Sequence, residues 1–365
     1  MMSLSRKTLW RAFKGLALVA AIAGLLVGGY LSWALSLRLE PGNRIYVATP
    51  GMTLHEFLAK LHEQGVLPDP YSLLLLAHLE GQTRALQSGE YRFHADITPA
   101  ELLDQVVSGQ TVEYPVTFEE GWTFKQVMHA LDSAPQLTHK LKGLSDAQIM
   151  KRLGHPGISP EGRFYPDTYY YSLGTSDITL LRHAYDRMQH LLDDDWARRA
   201  PELPLKNPEQ ALILASLIEK ETADPSERAL IAGVFINRLR LGMRLQTDPT
   251  VIYAMGTHYH GVIHISDLHL RSPYNTYLHR GLPPTPIALP GPAAIKAALH
   301  PAHTKALYFV ARGNGTHQFS NTLQEQDAAV IKYELHGHAP MDPQVKTHPR
   351  IIINARSGST RAAHQ

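Results

Sequence analysis

The 365-residue chain contains no cysteine. That excludes a disulfide framework and any zinc site built on thiolates. It says little about redox compartment, except that an oxidising location poses no risk of mispairing. An excess of charge is missing too. The formal net charge is only +2, and Arg6, Lys7, Arg11 and Lys14 supply +4 before position 15, so the remainder carries −2. A nucleic-acid binder needs a basic face over its folded part, and this balance argues against one. There is no internal repeat beyond two loosely similar helix-and-strand pieces before residue 115. With 44% hydrophobic and 19% charged residues the chain is not a disordered tail. It is long enough to bury a substantial core in two or three domains.

Long apolar runs are also scarce; the chain has one, and it is informative. From Gly15 to Leu37 (GLALVAAIAGLLVGGYLSWALSL) there are 23 residues without a charge. At about 1.5 Å of helix rise each they cover a hydrocarbon core of about 30 Å. Residues 1–14 then read as a basic cytoplasmic segment and 15–37 as a transmembrane anchor, and the positive-inside bias sends everything after Arg38 across the membrane. A cleaved signal peptide is the rival reading, with Ala34-Leu35-Ser36 as its cleavage site. The apolar stretch is longer than such a segment requires.

The exported part reads as α+β. RIYVA (Arg44 to Ala48) and GEYRF (Gly89 to Phe93) are strand-like and enclose two helix-like runs, a β-α-α-β unit. A helix with the capping box Thr98-Pro99-Ala100-Glu101 follows, then the strand-like VEYPVTF. The segment from 120 to 200 reads as helices with polar loops. It contains SPEGRFYPDTYYYSLG, where five aromatics from Phe164 to Tyr171 stand among Glu161, Arg163 and Asp167; they suit either a loop covering the core or a sugar-facing wall. Asn207-Pro208-Glu209-Gln210 reads as a capping box opening a helix to about Ala223, and Asp224-Pro225-Ser226-Glu227 as a second box opening a helix that ends at Gly242. Asp248, before Pro249, reads as the cap of the next helix. The long SPYNTYLHRGLPPTPIALPGP stretch carries six prolines and no period, and loops of that length are usually functional or disordered. A helix to about His300, a strand ALYFVA, a Gly313-Asn314-Gly315 turn, a strand HQFS and a helix capped by Thr322 and Glu325 complete the pattern. Residues 341–365 read as a loose tail.

The stretch LASLIEKETADPSER sets carboxylates at the end of a greasy helix, where burial costs several kcal/mol unless something offsets it. On a helical wheel Leu212, Ala215, Ser216, Glu219 and Thr222 share a mostly small face, which leaves room for a ligand beside Glu219. Glu221 falls on the bulky face, and periodicity alone does not choose between the two glutamates. Burial and the negative end of the helix dipole both raise the pKa of a carboxylate at Glu219, as a general acid requires. A buried ion pair with Lys220 or Arg228 is the competing, purely structural explanation. His258, His260, His264 and His269 crowd together, but in a loop-like setting without an H-E-x-x-H helix, so no metal site is expected. No cofactor is expected either.

The blocks LIEKETADPSERALIAGVFINRLRLGMRLQTDPTVIYAMG, YNTYLHRGLPPTPIALPG, HPAHTKALYFVA, HQFSNTLQEQ and, upstream, EGRFYPDTYYYSLGTSD resemble the endolytic murein transglycosylases of the YceG-like family, in order from the anchor to about residue 335. The resemblance implies a single-pass inner-membrane enzyme with its catalytic domain in the periplasm, cutting the glycan strands of nascent peptidoglycan. It implies a LysM-like glycan-binding subdomain at 44–115, a catalytic domain at 116–340 and peptidoglycan synthases as partners. It singles out Glu219, the first glutamate of E-K-E-T, as the catalytic group. That carboxyl would protonate the glycosidic oxygen between N-acetylmuramic acid and N-acetylglucosamine, then take the proton of the muramyl C6 hydroxyl as that oxygen attacks C1, leaving a 1,6-anhydromuramyl end. The nucleophile is part of the substrate, so one carboxylate suffices where ordinary glycosidases use two.

Gln246, Thr247, Tyr274, Asn275, Tyr277, Glu161 and Asp167 are expected to contact substrate. Asp248, Glu161 and Asp167 are the acids to watch for a second catalytic role. Two other readings remain: a water-using muramidase with a second carboxylate, and a non-catalytic, membrane-anchored peptidoglycan-binding scaffold.

Overall fold

A computed structural model of the chain describes residues 6–334. The protein divides into two compact units, one built from residues up to Pro115 with Pro135–Thr138 and Tyr170–Thr175, the other from Val116–Ala134, His139–Tyr169 and everything from Ser176. The elements mix helix with short strands, so the chain is α+β, with one N-terminal helix long and apolar enough to cross a membrane. The tail read at 341–365, the last residues of the 116–340 segment and residues 1–5 lie outside the described residues.

In the first unit, α1 (Arg6–Ser36) is followed by β1 (Tyr46–Ala48), α2 (Leu54–Glu63), α3 (Pro70–Leu79), β2 (Gly89–Tyr91), α4 (Pro99–Ser108) and β3 (Tyr114–Thr117). β1 and β2 pair antiparallel, Tyr46 opposite Tyr91 and Ala48 opposite Gly89, which closes the β-α-α-β unit. Its core packs Phe57, Leu58 and Leu61 of α2 and Leu102 and Leu103 of α4 against Tyr91 and Phe93. The capping box at Thr98 and Glu101 forms as read, and Thr53 with Glu56 makes a second one at the head of α2.

The second unit holds α5 (Phe124–Ser133), α6 (Asp146–Leu153), α7 (Asp177–Ala197), α8 (Pro208–Glu221), α9 (Arg228–Arg240), α10 (Asp248–Met255), α11 (Pro292–Leu299), β5 (Tyr308–Ala311), β6 (His317–Ser320) and α12 (Leu323–Tyr333). β4 (Thr168–Tyr171) precedes α7, and β5 pairs with β6 in an antiparallel hairpin. Helix α8 is the central rod: every residue from Ala211 to Ile218 is buried, among Ile231 and Phe235 of α9 and Ile295 and Leu299 of α11. Gly233 lets α9 come close to the chain after α11. A Cβ there would lie 2.5 Å from the Ala302 carbonyl oxygen.

Several local expectations are corrected. The small face of α8 is filled at Ser216 rather than open along its whole length. Its Ser216 hydroxyl accepts the Ile287 N–H at 3.1 Å, so the space that small side chains free is taken by the backbone of the proline-rich loop. Asn207 caps α8 as read, accepting from Gln210 N–H, but Gln210 returns its carbonyl to Lys206 rather than to Asn207. Asp224 does not open a capping box. It closes a tight turn onto Ser226, and α9 starts only at Arg228, because Glu227 is engaged with the backbone N–H and ring of His317. Asp248 is not a cap: Thr247 occupies that position, and the Asp248 carboxylate receives the Tyr277 hydroxyl instead. The aromatic run divides: Phe164, Tyr169 and Tyr171 are buried, Phe164 stacking on Phe124, while Tyr170 faces solvent.

Candidate active site

The last turn of α8 carries Glu219 to a corner formed with α9, the end of the proline-rich loop and the segment Glu119-Glu120-Gly121-Trp122. Two reciprocal backbone bonds fix that corner. Gly121 N–H donates to the Leu289 carbonyl at 2.8 Å, and Leu289 N–H to the Trp122 carbonyl at 2.7 Å. Gly121 turns at φ +78°, a region glycine enters without cost.

The Glu219 side chain is only 7% exposed, and both of its oxygens are engaged. Oε2 accepts the Gly291 N–H at 3.0 Å, and Oε1 lies 3.3 Å from an Arg228 guanidinium nitrogen. The same nitrogen lies 3.9 Å from a Glu120 oxygen, so Arg228 stands between two carboxylates. Glu120 presses on Gly291 so closely that a Cβ there would meet its Oε1 at 2.0 Å. Burial, the largest influence, raises the Glu219 pKa, and the Glu120 charge adds to it; the Gly291 N–H, Arg228 and Lys220 act in the opposite direction. Lys220 donates to the Gly121 carbonyl and leaves the ion pair to Arg228.

Glu221 is a different case. Its carboxyl is sealed, it accepts a short hydrogen bond from the Thr247 hydroxyl, and burial pushes its pKa up to about 8. Thr247 is fully buried, and Gln246 before it sits at φ +50° with its N–H donating to the Thr276 carbonyl. Thr247 is thus spent on Glu221 and on the packing of Thr250 and Thr276.

The other expected contact residues are largely engaged inside the second unit. Asn275 has no exposed surface; its amide holds the Leu268 and Leu270 carbonyls and its oxygen takes the Tyr277 N–H. Tyr277 is buried and donates to Asp248 at 2.5 Å, whose pKa burial pushes up to about 6. Tyr274 shares a hydrogen bond with Thr285 across the proline-rich loop. Glu161 accepts the Phe124 N–H at the head of α5 and the Tyr253 hydroxyl, with its pKa pushed up to about 7 by burial. Asp167 pairs with Arg187 at 2.5 Å, half-exposed. None of these is bonded to Glu219. Among the described residues no group of three or more His, Asp or Glu is placed to hold a metal ion.

Glu120 and Gly291 escaped the sequence reading. A signal existed for Glu120, an acid pair followed by a glycine and an aromatic just ahead of α5, but nothing local tied it to a helix nearly a hundred residues later.

Comparison with known proteins gives this geometry a family. An endolytic murein transglycosylase of Bacillus subtilis is 30% identical over 335 residues, covering 85% of this chain and 91% of its own length. One from Streptococcus pneumoniae is 26% identical over 354 residues, and the match spans 63% of that longer protein. The crystal structure of a yceG-like protein from Listeria monocytogenes superposes with a TM-score of 0.52 at 28% identity, covering 78% of this chain and 98% of that one. The YceG-like profile matches residues 46–332, most of the chain, and the protein belongs to the YceG-like family.

Proposed function

We propose that the protein is a membrane-anchored endolytic murein transglycosylase and that Glu219 is its acid and base. The single observation that carries the assignment of Glu219 is its opposed surroundings. Burial and Glu120 favour the neutral acid, while Gly291 N–H and Arg228 stand ready to support the anion. A group that gives a proton to the glycosidic oxygen and then recovers one from the muramyl C6 hydroxyl needs both forms within reach. Arg228 lets the balance shift: leaning toward Glu120 it frees Oε1 for the sugar oxygen, and returning to Glu219 it holds the carboxylate that remains. The Glu219 side chain lies beside half-exposed Glu120, whereas Glu221 Oε2 has neither accessible surface nor a partner. In place of the contact role first read for them, Asn275, Tyr277 and Thr247 serve to brace the chain around the end of α8, since their polar groups already have partners.

The β-α-α-β unit acts, in this reading, as a LysM-like glycan-holding subdomain at 44–115, ahead of a catalytic domain at 116–340. Helix α1 is the anchor, its basic end cytoplasmic and the rest of the chain periplasmic. Synthases of the glycan strand are the partners that such a position serves.

Glu120 also favours one alternative, because a muramidase needs a second carboxylate and Glu120 is the acid that approaches Glu219. The products decide. Incubated with uncrosslinked peptidoglycan, the transglycosylase gives anhydromuramyl ends lighter by one water than the reducing ends of hydrolysis. Reducing ends would replace the lyase by the muramidase, and uncut strands that co-sediment with the protein would leave only a scaffold.

A further inference from the structure

Helix α3, PYSLLLLAHL, is apolar apart from Ser72 and His78, yet at ten residues it is too short to span a bilayer. Inward it buries Ser72, Leu73 and Ala77, and outward it leaves Tyr71, Leu75 and Leu79 exposed by 73, 39 and 70%. These three are spaced by four and lie within one 80° sector of the helix. A helix that faces water presents a polar outer face. Here the exposed sector is apolar with only His78 at its edge, and the element beside it is α1.

The hydroxyl of Tyr30 in α1 donates to Asp69, the N-cap of α3, at 2.9 Å. Trp33, Ala34 and Leu37 line one cavity with Leu67, Pro68, Asp69 and Ser72. The start of α3 is therefore fixed at the level of Tyr30 along the anchor. Lys14 lays its ammonium over the Trp10 ring near the other end of α1. From Lys14, whose charge stays outside the hydrocarbon, the helix rises about 29 Å to Trp33, the thickness of a hydrocarbon core, so Tyr30 and Trp33 stand near its far boundary. An ionised Asp69 is excluded from hydrocarbon but tolerated at the headgroups. Tyr30 and Asp69 thus mark the interface, and α3 begins there.

We infer that the Tyr71, Leu75 and Leu79 face of α3 rests in the interfacial layer of the same bilayer, together with exposed Trp33, and holds the first unit against the membrane. The inference rests on the anchoring role of α1 proposed above. It makes the partner of this face a lipid surface rather than a second protein.

The absence of cysteine allows a direct test. Full-length chains carrying one cysteine each, Leu18→Cys, Leu75→Cys, Leu79→Cys and Glu63→Cys, are spin-labelled and reconstituted in phosphatidylethanolamine/phosphatidylglycerol vesicles. Collision with oxygen, which concentrates in lipid, is compared with collision with a water-soluble nickel chelate. The inference expects the oxygen-to-nickel ratio at 75 and 79 to exceed that at exposed Glu63 severalfold and to approach that at Leu18. Lipid-like values at 18 with water-like values at 75 and 79 overturn the inference and leave the anchor intact. Shielding of 75 and 79 from both reagents also overturns it, because protein then covers the face. Water-like values at 18 overturn the anchor itself.

Discussion

Glu221→Gln separates the two glutamates that share the end of α8. Burial lifts Glu221 to about 8 from an ordinary value of 4.5, and its Oε2 has no partner. Between those two pH values the folded chain keeps a proton that the unfolded chain has lost. Stability therefore falls as pH rises from about 4.5 to about 8 and is level in this respect outside that window. At about 1.4 kcal/mol per pH unit the full span corresponds to at most ~5 kcal/mol. Glutamine is neutral throughout, and its carbonyl still accepts from Thr247. Urea unfolding at pH 5, 6.5 and 8, followed by tryptophan fluorescence, should show the variant gaining on the parent by up to several kcal/mol toward pH 8. Glu161 and Asp248, pushed up to about 7 and about 6, give slopes of the same sign in both proteins, so the difference reports Glu221 together with its coupling to Asp248. The variant should still cleave glycan. An unchanged pH slope would refute the buried neutral Glu221, and a folded but inactive variant would move the acid from Glu219 to Glu221.

Glu120→Gln removes a charge that raises the Glu219 pKa and an acceptor that competes for Arg228, so the alkaline limb of the pH–rate profile should move to lower pH; a profile that stays in place contradicts the coupling. Tyr277→Phe leaves buried Asp248 without its donor and should cost about 1–3 kcal/mol, more above pH 6 than below it, by chemical denaturation. Gly233→Ala pushes a methyl to within 2.5 Å of the Ala302 carbonyl and should cost about 1–3 kcal/mol, seen as a Tm lowered by several degrees.

What the sequence revealed was mostly local. The capping boxes at Thr98 and Thr322, the Gly242 end of α9 and the β5–β6 hairpin depend on residues a few positions apart and form as read. The box read at Asp224 failed for a non-local reason: Glu227, well spaced for it, is drawn to His317 ninety positions later. The wheel of α8 failed similarly, because a small face admits backbone as readily as ligand and Ile287 took the space. Asn275 and Tyr277 read as substrate contacts and Asp248 as a helix cap, yet the three fold inward together because each completes another's hydrogen bonding. Glu219 was legible as a buried acid, and its ion pair with Arg228 was foreseen as an alternative. Glu120 and Gly291 were not, since only the fold brings them to it.

The most direct measurement compares the native chain with Glu219→Gln on uncrosslinked glycan strands, scoring cleavage and co-sedimentation in one experiment. Glutamine keeps the shape of the side chain but has no proton to lend. The account predicts anhydromuramyl ends from the native chain, and from the variant intact strands that are still bound. Anhydro ends produced by the variant would contradict it.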